Sequence, residues 1–386
     1  MLSESPLNIA EQVDLAEFCE QLSYALPALI RWVHGIAASP HSPLAAYFPL
    51  SAPSYGRGGS FGHVVRPDIV ITQRGPRVCE FDFVPSGRGR LSAWLPGSAE
   101  RREYLEAFCR WYDGMSARRY YYGTGTETTC WEQTQFVCQE LRAAGVDIVP
   151  GNLDVDRTEG RAVDRLYYRA ELAREHPRDI EVFTRESYLD SKALFAAIHS
   201  NDPSLITSFT PSQLQFLRTV CPFSFPIRSL RKDADRCSEV LALKDEFVLK
   251  NTDVESHYNW GSRGAIPGRS VSFETFRQAL MGRSKDLGAS PIVQEFQESL
   301  DFSSLWNEGA RRGPRPLFGD EMNAAVFEPA RSPVYGRASV YFLVNNVTGE
   351  CSYTPWGYLL LRQDPLVHWT TDAQAHTFRV GRRAAR

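Results

Sequence analysis

The stretch RPDIVITQRGPRVCEFDFVPSG, residues 66–87, is the one around which the rest of the chain can be organised. Two runs rich in strand-forming residues, PDIVIT (67–72) and RVCEFDF (77–83), flank a turn containing Gly75, which predicts a β-hairpin. Alternate residues of a strand face the same side, so Glu80 and Asp82 share one face while Cys79, Phe81 and Phe83 share the other. If the loop is Gln73-Arg74-Gly75, with glycine in the left-handed position, Thr72 pairs with Pro76 and Asp68 lies opposite Glu80. Asp68, Glu80 and Asp82 then gather on one face, with Arg66 nearby. Three carboxylates repel one another unless a cation sits among them, and their hard oxygens suit Mg²⁺, which readily shares its shell with phosphates. On this reading, removing one of the three relieves repulsion and leaves the fold intact. A solvated hairpin face with its charges in water explains the same pattern.

Three further constellations lie downstream. The strand-like EFVLK (246–250) delivers Lys250 to a glycine-rich stretch, WGSRGAIPG (260–268), containing Gly261, Ser262, Arg263, Gly264 and Gly268. A lysine followed by flexible backbone can bring a cation and N–H groups to a polyphosphate, although a lysine before a plain turn is commonplace. In YLDSKALFAAIHS, Lys192 opens a helix whose Leu194, Phe195 and Ile198 face inward; a lysine there is more often surface decoration. PIVQEF (291–296) is an apolar strand ending in Gln294, Glu295 and Phe296, which also suits a core strand reaching solvent. The GTGTET run at 123–128 lacks the spacing of a phosphate loop and reads as a turn.

Between these points, strands and helices alternate. Apolar residues at helical spacing over 11–35 predict one or two packed helices. Residues 117–124, 129–143 and 146–150 predict a β-α-β unit with a parallel pair, its helix stopped at Gly145. Helices are expected at 189–200, 211–220 and about 273–281. Strands are expected at 337–345 and 354–362, with a turn at Thr348-Gly349. Alternation of this kind belongs to an α/β or α+β enzyme.

The 386 residues suit two or three lobes. A net charge of −3, with basic residues scattered, gives no case for gripping nucleic acid. There is no basic start followed by an apolar run, and no apolar stretch near the roughly 20 residues that span a bilayer, so a cytoplasmic protein without membrane partners is expected. The cysteines (Cys19, Cys79, Cys109, Cys130, Cys138, Cys221, Cys237, Cys351) form no C-x-x-C pair, which argues for buried free thiols over a zinc site or a disulfide framework.

Taken in order, these segments resemble the ATP-grasp superfamily, in the group with rearranged segment order seen in glutathionylspermidine synthase and the circularly permuted ATP-grasp proteins. That group opens with Arg-x-Asp, a glycine turn and Glu-x-Asn. Here the pattern is Arg66-Pro67-Asp68 and Glu80-Phe81-Asp82, with aspartate in place of the final asparagine. AVDRLYYR (162–169) resembles the group's Val-Asp-x-x-Tyr-Arg-Arg segment. The resemblance runs from about 60 to 375 and implies an α+β fold with nucleotide held between two lobes, plus a β-α-β pre-ATP-grasp-like domain. It places N-terminal helices and a metal-binding hairpin in 1–100, the β-α-β domain in 101–185 and the nucleotide-binding lobes in 186–386.

The resemblance also assigns roles. Lys192 and Lys250 would be the ATP-binding lysines, Gly261, Ser262 and Gly264 part of the phosphate-covering loop, and Gln294, Glu295 and Phe296 the adenine and ribose hinge. Asp68, Glu80 and Asp82 would hold one or two Mg²⁺. Arg66, Arg263 and Arg337 would stabilise the transferring group, and Ser86 and Gly87 would lie near the carboxylate substrate. The implied reaction joins a small-molecule carboxylate to an amine through an acyl phosphate, releasing ADP and phosphate. Asp82 puts the metal count in doubt, WGSRG has fewer glycines than related loops, and no amidase-like domain precedes the match, so the substrates do not carry over. A degenerate scaffold that binds nucleotide or a protein partner, or a small-molecule kinase, would need the same ATP site. The oligomeric state is not legible.

Overall fold

The computed structural model describes residues 15–37, 39, 44, 62–83, 88–114, 119–122, 128–151, 162–165, 181–182, 187–230, 233–252, 264–282, 287, 291–303, 306, 333–364 and 373–380. Its centre is a five-stranded antiparallel sheet. In sequence the strands are β1 (Gly62–Thr72), β2 (Gly75–Asp82), β11 (Tyr335–Asn345), β12 (Cys351–Arg362) and β13 (Gln374–Arg379); in space they run β13-β12-β11-β1-β2. The N-terminal hairpin is therefore completed by strands from the far end of the chain.

The two-residue period of the strands sorts their side chains onto two covered faces. Val65, Ile69 and Ile71 of β1, Val78 and Phe81 of β2, and Ala338, Val340, Phe342 and Val344 of β11 pack in one core with the helix Leu15–Ala37 and the helix Ala193–Ile198. Phe81 stacks on Phe195 with ring centroids 5.7 Å apart. Val64, Tyr341, Leu343, Tyr358 and Leu360 face the other way, against Leu91, Tyr104, Phe108, Trp111 and Leu141 of the helices Arg88–Trp94, Ser98–Asp113 and Thr128–Ala143. Because β11 is covered on both sides, its run ASVYFLVN is almost continuously apolar rather than alternating.

A second sheet is parallel, with β4 (Ile148–Gly151), β3 (Arg119–Tyr122), β5 (Ala162–Arg165) and β6 (Glu181–Val182) in that spatial order. The expected β-α-β unit is β3, the helix Thr128–Ala143 and β4, and Gly145 just past the helix takes a positive φ of 96°. A third sheet is antiparallel, in the order β7 (Ser224–Pro226), β10 (Ile292–Glu295), β8 (Phe247–Lys250), β9 (Ala265–Pro267). Its core holds Phe225, Leu249, Phe276, Leu280 and Val293. The fold is thus mixed α+β. No described helix is long and apolar enough to cross a membrane, and the described cysteines are free thiols.

Most expected elements are present, with local differences. Among the described residues, the N-terminal expectation of one or two helices over 11–35 corresponds to the helix Leu15–Ala37, which runs through Pro27 with buried residues on either side. The helix expected over 189–200 is shorter: a 3₁₀ turn at Ser187–Asp190 precedes Ala193–Ile198. The helix Ser98–Asp113 lies outside the expected elements, although Tyr104, Phe108 and Trp111 recur at helical spacing.

The helix Pro211–Val220 starts on a full capping box. Gln213 N–H donates to Thr210 Oγ1 at 3.2 Å, and Thr210 N–H donates to Gln213 Oε1 at 3.0 Å. Thr210→Ala is expected to cost about 1 kcal/mol, readable as a lower urea midpoint with an unchanged slope. No loss would mean that Pro211 at the first turn sets the helix start alone.

Candidate functional site

The face of the central sheet that carries Val64 continues beyond the helices as a polar surface. Arg66 and Asp68 follow Val64 at two-residue steps on β1. Asp82 lies opposite Arg66 and Glu80 opposite Asp68 on β2, while Ser339 of β11 lies opposite Asp68, and Arg337 opposite Val70. The expected pairing of Asp68 with Glu80 is thus present, but the route to it differs. Gly75 has the expected positive φ, 92°, yet Thr72 faces Gly75 rather than Pro76, so the ladder starts one residue early. An irregularity between Asp68 and Ile69 inserts Cys79 as an extra residue on β2 and restores the offset. This bulge lets Val78 and Phe81, three apart, face the same core, with Glu80 on the opposite side.

The outer edge of β2 is covered by side chains from later segments, a common way of blunting an exposed strand. Lys250, from the end of β8, donates to the Cys79 carbonyl oxygen at 2.9 Å. Phe83 N–H donates to Asp190 Oδ1. Asp190 sits just before Ser191, whose hydroxyl donates to the Thr252 carbonyl at 3.0 Å, and Lys192, the residue preceding the helix Ala193–Ile198. These contacts bring Lys192 and Lys250, distant in sequence, onto the carboxylates. Asp190 was not among the sequence candidates; its position two residues before Lys192 is the only signal.

Each expected metal-binding carboxylate meets a cation of the chain itself. Arg337 Nη1 lies 2.6 Å from Asp68 Oδ2, and Arg66 Nε lies 3.7 Å from Asp68 Oδ1. Arg66 Nη2 lies 2.8 Å from Asp82 Oδ2, and Lys192 Nζ lies 3.1 Å from Glu80 Oε1. The mutual repulsion inferred from the sequence is therefore relieved internally, because four cations face three acids. Among the described residues, no group of three His, Cys, Asp or Glu side chains is arranged to hold a metal ion.

Depth differs across the cluster. The Asp68 side chain is 6% exposed and that of Glu80 35%. Burial lifts the Asp68 carboxyl above its ordinary range against the pull of Arg337 and Arg66. Burial also acts on Glu80, but Lys192 and Lys250 outweigh it and hold that carboxyl low. Burial lowers Lys250, and it pushes the Cys79 thiol up to about 11, which keeps the thiol protonated. Asp68 Oδ1, Ser339 Oγ and Arg337 Nε are buried with no hydrogen-bond partner among the described residues, an arrangement that suits a ligand or ion.

At the expected hinge, Gln294 is buried and its amide donates to Ser224 Oγ at 3.2 Å, so the side chain serves the sheet. The backbone N–H groups of Glu295 and Phe296 donate to the carbonyls of Phe223 and Glu246 at 2.8 and 2.7 Å. What remains for a base is the part-exposed Glu295 carboxylate and the Phe296 ring, with Arg269 4.1 Å from its centroid. Gly264 is described, its carbonyl accepting from Asn251 N–H at 2.7 Å. Gly261, Ser262, Arg263, Ser86 and Gly87 lie outside the described residues, as does Cys130's side chain.

No family model matches the chain, and no curated protein matches its sequence. Among solved structures it is similar to a glutathione synthetase-like effector from Globodera pallida in its apo form, with a TM-score of 0.55 at 10% identity, over 98% of this chain and 88% of that one. It is also aligned with a candidate gamma-glutamylcysteine synthetase from Methylobacillus flagellatus KT, with a TM-score of 0.44 at 11% identity, over 94% and 85%. The first likeness shows a shared fold.

Proposed function

We propose that the chain is an ATP-dependent carboxylate–amine ligase of ATP-grasp type, forming an amide through an acyl phosphate and releasing ADP and phosphate. The observation that carries this reading is the convergence of Arg66, Asp68, Glu80, Lys192, Lys250 and Arg337. They come from four separate parts of the chain, and they are residues to which the resemblance gives nucleotide, metal and transferring-group roles. Phosphoryl transfer needs positioning and charge stabilisation above all, and a largely buried set of cations supplies both.

A carboxylate is a poor electrophile, and its oxygen leaves badly. Lys192 and Lys250 would hold the phosphates, while Arg66 and Arg337, held in place by Asp82 and Asp68, would stabilise charge on the group being transferred. The donor chemistry also fits Mg²⁺: the oxygens are hard, Asp68 Oδ1 has no hydrogen-bond partner among the described residues, and Glu80 is the most open of the acids. Bound by Asp68 and Glu80, with Asp82 contributing if its pair with Arg66 opens, Mg²⁺ would neutralise phosphate charge. Asp82 in place of asparagine would serve first to orient Arg66.

One observation favours a second reading, a scaffold that binds nucleotide without turnover. Every acid of the cluster is paired with a cation of the protein, so mutual repulsion no longer argues for catalysis. The two readings separate on incubation with ATP, Mg²⁺, hydroxylamine and a pool of carboxylic acids, with nucleotides resolved. The ligase gives ADP, phosphate and a hydroxamate. AMP and pyrophosphate would remove the ATP-grasp reading, binding without turnover would leave the scaffold, and a phosphorylated product without coupling would indicate a kinase.

A further inference from the structure

We infer that this site binds its polyphosphate before its metal ion, and that metal-free polyphosphate binds well. This rests on the reading of the cluster as a polyphosphate site. Among the described residues, the charged groups that face one another in this cluster are three acids, Asp68, Glu80 and Asp82, and four cations, Arg66, Arg337, Lys192 and Lys250. A divalent cation arriving alone meets a cluster with a net positive charge. It must also displace guanidinium or ammonium groups at 2.6, 2.8 and 3.1 Å from the oxygens it needs. A buried charge that loses its partner is strongly unfavourable.

A polyphosphate meets the opposite situation. Its charge complements the excess of cations, and Arg337 offers a buried Nε without a hydrogen-bond partner among the described residues. Lys192 and Lys250, which hold Glu80 and the Cys79 carbonyl, can turn to phosphate oxygens. Glu80, the most open acid, is then released beside the phosphates, and the cluster changes from repelling to attracting a divalent ion. The Arg66–Asp82 pair occupies a further carboxylate oxygen that a metal ion arriving alone would need.

The test uses the intact chain, with inorganic tripolyphosphate as the probe. Calorimetric titrations in EDTA and in Mg²⁺ are expected to give dissociation constants within about tenfold of each other. Mn²⁺ alone, followed through its free-ion spin resonance signal, is expected to bind the wild type poorly. Lys192→Met, which frees Glu80 and brings the fixed charges to balance, should tighten binding of Mn²⁺ alone at least about tenfold and weaken metal-free tripolyphosphate. Asp82→Asn should tighten metal-free tripolyphosphate, and it decides the matter if Lys192→Met does not fold. Tripolyphosphate binding only when Mg²⁺ is present, or tight binding of Mn²⁺ to the unliganded wild type, would overturn the order while sparing the polyphosphate reading. No binding under either condition would remove both.

Discussion

Asp68→Ala is expected to destabilise the protein by about 3–5 kcal/mol, the range for removing one partner of a buried ion pair. The Asp68 side chain is 6% exposed, and it pairs with Arg337 at 2.6 Å and lies 3.7 Å from Arg66, whose nearer acid is Asp82 at 2.8 Å. Truncation leaves the guanidinium of Arg337 buried and facing no carboxylate of its own. This reverses the expectation from the sequence, in which removing an acid relieves repulsion and spares the fold. Asp68→Asn keeps the shape and one acceptor, so it should lose less stability and report on ATP turnover in a folded protein. The check is denaturant unfolding of both variants beside the wild type. An Asp68→Ala protein as stable as the wild type would show that the pairs with Arg66 and Arg337 contribute nothing.

The second large effect is expected at Gly268. A Cβ built there would lie 1.8 Å from the Lys244 carbonyl oxygen and 2.5 Å from its carbon. The colliding atoms are backbone, which cannot swing aside. The contact joins the 3₁₀ turns Lys244–Glu246 and Gly268–Ser270 at the base of the β8–β9 pair, where Lys244 Nζ also donates to the carbonyls of Gly268 and Val271 at 2.7 and 3.1 Å. Gly268→Ala should therefore cost about 3 kcal/mol or more, the upper end for overpacking. It should also impair nucleotide binding, because β8 delivers Lys250. The same substitution at Gly35, in the helix Leu15–Ala37 with nothing within 4 Å, should instead stabilise by about 0.5 kcal/mol. Melting temperatures that move in the same direction for both would contradict this packing explanation.

Local patterns carried much of the fold. Alternation marked the hairpin, the helix expected over 211–220 is Pro211–Val220, and Gly145 and Gly349 fell at the turns they suggested. The Cys79 bulge was not legible, since nothing in RVCEFD distinguishes an extra residue from a regular one. The pairing of β1 with β11 was also hidden: Arg337 and Asp68 are 269 residues apart, and local periodicity does not encode a strand's partner. For the same reason the sequence supplied the acids and the cations as separate sets. Their direct pairing, which changes the site from a self-repelling acid cluster to a slightly cationic one, required the three-dimensional contacts of Lys192 with Glu80 and of Arg66 with Asp82. Short polar elements such as β13, QAHTFR, gave no signal because their strand state depends on the neighbouring β12.

The most direct test of the proposed nucleotide site is calorimetric titration of wild type and of a Lys192→Met, Lys250→Met double variant with a non-hydrolysable ATP analogue and Mg²⁺. Both proteins should first be shown to melt cooperatively. One-site binding to the wild type, weakened at least about a hundredfold in the double variant, is the expected result. Equal affinity in the two proteins would place the nucleotide elsewhere and contradict the assignment of this cluster.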